Sequence, residues 1–201
     1  MIRVGLTGTV AAGKSTVGRL FETWGANRVD ADQLARTAVA PGSPGLAKIR
    51  AMWGDGVLQR DGSLDREVVR ARVFGDDDAR EALEEIVHRE VRRLRAEWRA
   101  RQDELAASVI VEEIPLLFET GLETGYDAVV VVDAAVEERR RRAVAFRGWT
   151  PEEFDAIDAT QLPAEEKRAR ADHVILNDGD RAALESASRA VWDELRRGSR
   201  D

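Results

Sequence analysis

Eight residues near the start of the chain, Gly8-Thr9-Val10-Ala11-Ala12-Gly13-Lys14-Ser15, satisfy the spacing G-x-x-x-x-G-K-[ST] without a gap. The chemistry that spacing supports is polyphosphate binding. Glycines let the backbone turn so that successive N–H groups converge on an anion, and the dipole of the following helix adds to them. Lys14 would reach the β- and γ-phosphates, and the Ser15 hydroxyl would ligate Mg²⁺. Lysine is scarce here, with three residues (14, 48 and 167) against 28 arginines, so a lysine at this position is informative. Gly8, Ala11, Ala12, Gly13, Lys14, Ser15 and Thr16 are the expected triphosphate contacts.

Such a loop works only between a strand and a helix. Ile2 to Thr7 has the composition of a short strand, and Ser15 to Trp24 reads as helical. Further apolar runs follow at Arg28 to Val29, Val109 to Ile114, Ala128 to Val132 and Val174 to Leu176. Continuous β-branched runs suit strands buried on both faces, which predicts an α/β protein with a five-stranded parallel sheet flanked by helices, the P-loop NTPase fold. Ligands then gather at the carboxyl ends of the strands. Those ends carry Gly8, Asp30 and Asp32, Glu113, Asp133 and Asn177.

Two stretches interrupt the alternation. Between Gln59 and Ser108 there is a turn at Asp61-Gly62 and then a long helix from about Asp78 to Leu105, with an apolar stripe of Leu83, Val87, Val91, Leu94, Trp98 and Leu105. Between Glu137 and Lys167 the chain is densely charged. Thr150-Pro151-Glu152-Glu153 is a strong helix start there. Before it lies Arg139-Arg140-Arg141-Arg142, then Arg147; singly such arginines suit a solvated helix face, and as a group they suit a mobile basic lid. The expected organisation is a nucleotide-binding core (1–58, 109–136 and 168–201), a helical acceptor insertion (59–108) and a helical lid (137–167).

Composition narrows the class. At 201 residues the chain can bury a sizeable core, and its net charge of −7 supplies no basic field for nucleic acid. It has no cysteine, so no disulfide or thiolate metal site, and no apolar run nears the ~20 residues that span a bilayer. A cytoplasmic protein is expected, with no nucleic-acid, membrane or obligate protein partner. His88 and His173 are too scattered for a metal cluster.

Taken in order, these segments resemble the dephospho-coenzyme A kinases over Gly5 to Gly179. Gly5-Leu6-Thr7-Gly8 leads into Gly13-Lys14-Ser15-Thr16. Val29-Asp30-Ala31-Asp32 is similar to the family's D-A-D, and Asp61-Gly62-Ser63-Leu64-Asp65-Arg66 to its D-G-x-L-D-R. Ile114-Pro115-Leu116-Leu117-Phe118-Glu119 is similar to its P-L-L-F-E. Gln161, Lys167, Ala171-Asp172, Val174-Ile175 and Asn177-Asp178-Gly179 follow its closing pattern. There are departures. The loop interior Thr9-Val10-Ala11-Ala12 replaces G-I-G-S, Glu113 stands where aspartate is frequent, Arg89 replaces a proline after His88, and the lid's Q-x-x-R reads as four arginines.

The resemblance implies transfer of the ATP γ-phosphoryl group to the ribose 3′-hydroxyl of dephospho-coenzyme A. Asp32 would be the base, Lys14, Arg142 and Arg147 would neutralise charge, and Asn177 would lie beside the adenine. Thr7, Asp32, Arg66, His88, Leu116 and Phe118 would meet the acceptor, and Ser15, with Glu113 through water, would hold Mg²⁺. Asp32 also suits a helix N-cap, Asp30 a cap or an orienting partner, and His88 either the acceptor cleft or the core edge. The rival readings are a P-loop kinase for another small acceptor, such as a nucleoside monophosphate, a nucleotide-dependent switch, and a non-catalytic nucleotide-binding module. A guanine-reading N-K-x-D is absent at the relevant strand ends.

Overall fold

The computed structural model describes residues 1–198; the last three residues of the expected core segment, 199–201, lie outside the described residues. Its sheet is β1 (Ile2–Gly8), β2 (Asn27–Asp30), β3 (Val109–Glu113), β4 (Ala128–Asp133) and β5 (His173–Leu176). The order is β2-β3-β1-β4-β5 with every pairing parallel. Each strand lies within a residue or two of its expected position.

Register explains why the chemistry collects at one edge. Leu6 and Asp30 flank Glu113 on the neighbouring strands, and Gly8 pairs with Val132, one residue before Asp133. Alternate residues on one face, among them Val4, Leu6, Val111, Val130, Val132 and Ile175, form a core with Val17 and Phe21 of α1 (Lys14–Thr23) and Trp192 and Leu195 of α9 (Arg181–Gly198). Strands apolar on successive residues need helices on both faces.

The chain divides into two compact units, residues 1–30 with 102–201, and residues 31–101. The second unit holds α2 (Ala31–Ala38), α3 (Pro44–Trp53), α4 (Arg66–Val73) and most of α5 (Asp77–Glu104). It therefore begins earlier than the expected insertion. The cause is packing. Val39, Ile49 and Val57 close one apolar cluster with Val69, Leu83, Ile86 and Val87, so 31–58 cannot be separated from the helices that follow. Leu105, expected on the α5 stripe, lies beyond the helix and is exposed.

The charged stretch forms α6 (Val136–Arg147), α7 (Pro151–Asp158) and α8 (Ala164–Ala169), and it does not separate from the sheet unit. Thr150 and Glu153 make the reciprocal capping box that the sequence suggests.

Candidate active site

The glycine-rich loop turns where its sequence allows it. Gly8 and Gly13 have φ of 147° and 103°, and a side chain on Gly8 would collide with the Val132 carbonyl. Ala11 also lies in the left-handed region, with φ of 59°, where an L-residue is strained. The replacement of glycine there is tolerated because Ala11 is packed with Val10, Ala143 and Phe154.

Side chains from distant segments hold the loop. Thr9 donates from its hydroxyl to Asp133 Oδ1 at 2.9 Å, and Asp133 Oδ2 pairs with Arg168 at 2.6 Å. The Val10 backbone amide donates to Gln161 Oε1 at 2.9 Å, and Asn177 Nδ2 donates to the Ala12 carbonyl at 2.8 Å. Lys14 Nζ donates to the carbonyls of Gly8 and Thr9, both at 3.1 Å. Ser15 Oγ donates to Glu113 Oε1 at 2.6 Å, and Glu113 Oε2 pairs with Arg28 Nη1 at 3.1 Å. A hydroxyl beside a buried carboxylate, next to a phosphate-binding turn, is an oxygen donor set suited to Mg²⁺.

The four consecutive arginines of α6 divide by direction. Arg139 fits neither a solvated face nor an open lid, since it is 4% exposed. It pairs with Asp158 at 2.5 Å, donates to the carbonyls of Ala134 and Val10, and lies 5.5 Å from the Phe154 ring centre. Arg140 pairs with Asp155 and Arg141 with Glu138 on the exposed side. Arg142 donates to Glu138 Oε1 and to the Asn177 carbonyl, both at 2.8 Å, and its buried Nη1 has no hydrogen-bond partner. The Arg147 guanidinium is exposed and lies 5.0 Å from the centre of the Trp149 ring.

Arg141 by hydrogen bonding, and Arg142 by charge, hold the Glu138 carboxyl at about 2 against burial. The stabilisation is fully present above an ordinary glutamate pKa and is lost only as pH falls toward 2. At the base of α8, Lys167 is fully buried on Glu119 at 2.7 Å. Burial pushes the Glu119 carboxyl up, but Lys167 and the Leu162 amide outweigh it and its pKa is lowered.

Several sequence-predicted residues have unexpected surroundings. Thr7 is fully buried with its hydroxyl on the Pro115 carbonyl, and Phe118 is 4% exposed beneath the Arg170 guanidinium. Phe118 belongs to the Pro115-Leu116-Leu117-Phe118-Glu119 turn, in which Leu117 is also buried. Leu116 of the same turn is exposed. The side chain of Asn177 is taken up by the loop. Asp32 is no N-cap, since α2 starts at Ala31 and places it in the first turn. His88 is exposed on α5.

Within the helical unit, Asp32 lines a cavity of about 530 Å³ together with Arg36, Arg66 and Arg70 and the apolar Leu64, Val69 and Val87. A second cavity of about 600 Å³ shares Arg36, Val39, Leu64 and Arg66 and adds Gln59, Ser63 and Glu67. Asp65 caps α4 through the amides of Glu67 and Val68, which fixes Arg66 at the first helical position. Arg36 and Arg70 were not singled out from the sequence. Their signal is helical spacing, four residues on from Asp32 and from Arg66.

The family model for dephospho-CoA kinase matches residues 2–183. A dephospho-CoA kinase of Anaeromyxobacter dehalogenans is 46% identical over 97% of this chain and 92% of its own. A crystal structure from Thermus thermophilus is 40% identical with a TM-score of 0.82, covering 96% of this chain and 97% of that one. The dephospho-CoA kinase of Campylobacter jejuni, at 22% identity, shares the fold with a TM-score of 0.70 over 98% of each chain.

Proposed function

The chain belongs to the dephospho-CoA kinase family, and on that premise we propose that it carries out this reaction through the residues described above. The γ-phosphoryl group of ATP passes to the ribose 3′-hydroxyl of dephospho-coenzyme A, giving coenzyme A and ADP, the last step of coenzyme A synthesis. A bond forms between the 3′-oxygen and the γ-phosphorus as the bond from that phosphorus to the β,γ-bridging oxygen breaks. The hydroxyl proton passes to the Asp32 carboxylate.

Such a transfer depends on in-line positioning and on neutralising charge. Lys14 exchanges its loop carbonyls for phosphate oxygens. Arg142 is fixed by Glu138 and Asn177 and keeps a buried N–H in reserve, which suits it to meet the transferring group. Arg147, at the end of α6, is the second lid arginine, and residues 137–167 act as the lid. Bound Mg²⁺, held by Ser15 and through water by Glu113, would draw charge from the β- and γ-phosphates.

The observation that carries the acceptor side is the cavity uniting a carboxylate, Asp32, with Arg36, Arg66 and Arg70. A base among three arginines suits a hydroxyl on a molecule that also bears a diphosphate. Residues 31–101 are the acceptor-binding unit in this reading, with His88 and Leu116 as surfaces for the rest of that molecule. No helix among the described residues is long and apolar enough to cross a membrane. We place the reaction in the cytoplasm because both substrates are small water-soluble anions. ADP release with ATP and a panel of dephospho-coenzyme A, adenosine and AMP tests the assignment. Turnover with dephospho-coenzyme A well above the others is expected, and preference for AMP would replace it with a nucleoside monophosphate kinase.

A further inference from the structure

Arg28 has no part in the reaction as described, yet its guanidinium joins the edge strand to the centre of the donor site. Nη1 pairs with Glu113 Oε2 at 3.1 Å, and the other oxygen of that carboxylate accepts from Ser15 at 2.6 Å. Nε pairs with exposed Glu22 at 3.3 Å, so the guanidinium is fixed from both sides. The Glu113 side chain is 5% exposed and that of Arg28 is 18% exposed.

The path of the Arg28 side chain depends on Gly18. This glycine is buried inside α1, one turn after Ser15. An added Cβ there would lie 2.8 Å from Arg28 Cδ and 3.3 Å from Glu113 Oε2. Glycine within a helix is unfavourable relative to alanine, so its presence in this helix calls for a packing reason. The reason is the slot it leaves, across which the arginine stem reaches Glu113. Glutamate is one methylene longer than aspartate and has one more torsion to fix, and a guanidinium on its outer oxygen fixes it.

We propose that Arg28, seated in the Gly18 slot, is a positioning residue that sets Glu113 against Ser15 for the metal–triphosphate complex. It touches neither nucleotide nor acceptor and acts through Glu113. This rests only on the donor half of the function proposed above. Partners that orient a metal ligand typically change metal affinity by ~10–100-fold when removed.

The test uses Arg28→Met, which keeps the stem and removes the charge, and Gly18→Ala, which changes no charge. Isothermal titration with ADP at a series of Mg²⁺ concentrations reads donor-site metal affinity without turnover, and the melting midpoint without ligand reads stability separately. Both variants are expected to raise the Mg²⁺ needed for half-maximal ADP binding by about tenfold. KM for ATP should rise and KM for dephospho-coenzyme A stay level. Arg28→Lys should restore part of the affinity. In a Glu113→Gln background, Arg28→Met should change Mg²⁺ dependence no further, because the two residues act as one. If Arg28→Met lowers only the melting midpoint, or Gly18→Ala stabilises the protein with Mg²⁺ dependence unchanged, the pair is a structural ion pair and the proposal is overturned. These titrations contain no acceptor, so failure of the dephospho-coenzyme A assignment would leave them interpretable.

Discussion

The glycine-rich loop and the cavities around Asp32 and Arg66 are built in opposite ways. Around Gly8 to Ser15, peptide and side-chain groups are engaged by Asp133, Gln161, Asn177 and Glu113, residues far away in sequence and mostly buried. Around Asp32 and Arg66 the charged residues are exposed, short helices carry them, and an apolar cluster beneath supports them. Under the proposed function the difference follows from what each would bind. A triphosphate is recognised by backbone amides, which have to be held in place beforehand because their geometry is the recognition. A larger acceptor would be met by long side chains, whose ordering would be completed when the ligand arrives.

If that contrast holds, substitutions at the acceptor carboxylate should alter rate without altering stability. Asp32→Asn keeps shape, and Asp32 stands in the first turn of α2, where the loss of its charge costs only a few tenths of a kcal/mol, or up to about 1 kcal/mol. Loss of a general base typically lowers rate by ~10²–10⁴-fold. We expect a kcat fall of that order, with ATP binding and melting temperature near wild type. Near-normal kcat would remove Asp32 from proton transfer and leave the acceptor cavity as a binding surface alone.

On the donor side, two arginines three residues apart should separate chemistry from structure. Arg142→Ala removes the guanidinium with a spare buried N–H, and a fall in kcat of roughly 10²-fold is expected, as for other lost charge-stabilising donors. Arg139→Ala strands Asp158 and opens the packing on Phe154. Breaking a buried pair costs ~3–5 kcal/mol; with Asp158 a quarter exposed, about 2 kcal/mol is more reasonable, or ~4–8 °C in melting midpoint for a chain of this size. Its kcat at low temperature should stay within a few-fold of wild type. Equal losses of kcat at both positions would show that α6 acts as a unit.

A third substitution tests the acceptor side by binding. Arg66→Ala removes a guanidinium shared by both cavities. A hydrogen bond to a charged group contributes ~1.5–3 kcal/mol, so KM for dephospho-coenzyme A should rise about tenfold or more with KM for ATP little changed. The reverse pattern would move Arg66 to the nucleotide.

Much of the donor half was readable because its signals are local. The loop, the strands and the Thr150 capping box each lie within about ten consecutive residues. What escaped the sequence depends on partners far along the chain. Arg28 meets Glu113 across 85 residues, and no pattern in either neighbourhood records it. The arginine run was opaque for a different reason. Four consecutive helical residues point in four directions about 100° apart, and four identical side chains give no indication of which turns inward. The second unit's early start was hidden because 31–58 holds its place through Val39, Ile49 and Val57, whose partners come later in the chain.

The smallest expected effect lies inside the loop, at Ala11, and bears on how much of its geometry is stored strain. With φ of 59°, Ala11 occupies a region that costs an L-residue ~1–2 kcal/mol, so Ala11→Gly relieves that much. Two terms oppose it. Glycine enlarges the unfolded ensemble, at a cost of ~0.4–1 kcal/mol. The lost methyl, 7% exposed and packed with Ala143 and Phe154, accounts for another ~0.8 kcal/mol. The three nearly cancel, so the melting midpoint should move by no more than ~2–4 °C in either direction. ATP affinity should weaken a few-fold at most, because the bonds to Thr9, Val10 and Ala12 still hold the loop. A large gain in stability would mean that the strain exceeds what the packing returns. A large loss of ATP affinity at unchanged stability would mean that Ala11 itself, and not the surrounding side chains, keeps the loop in its binding shape.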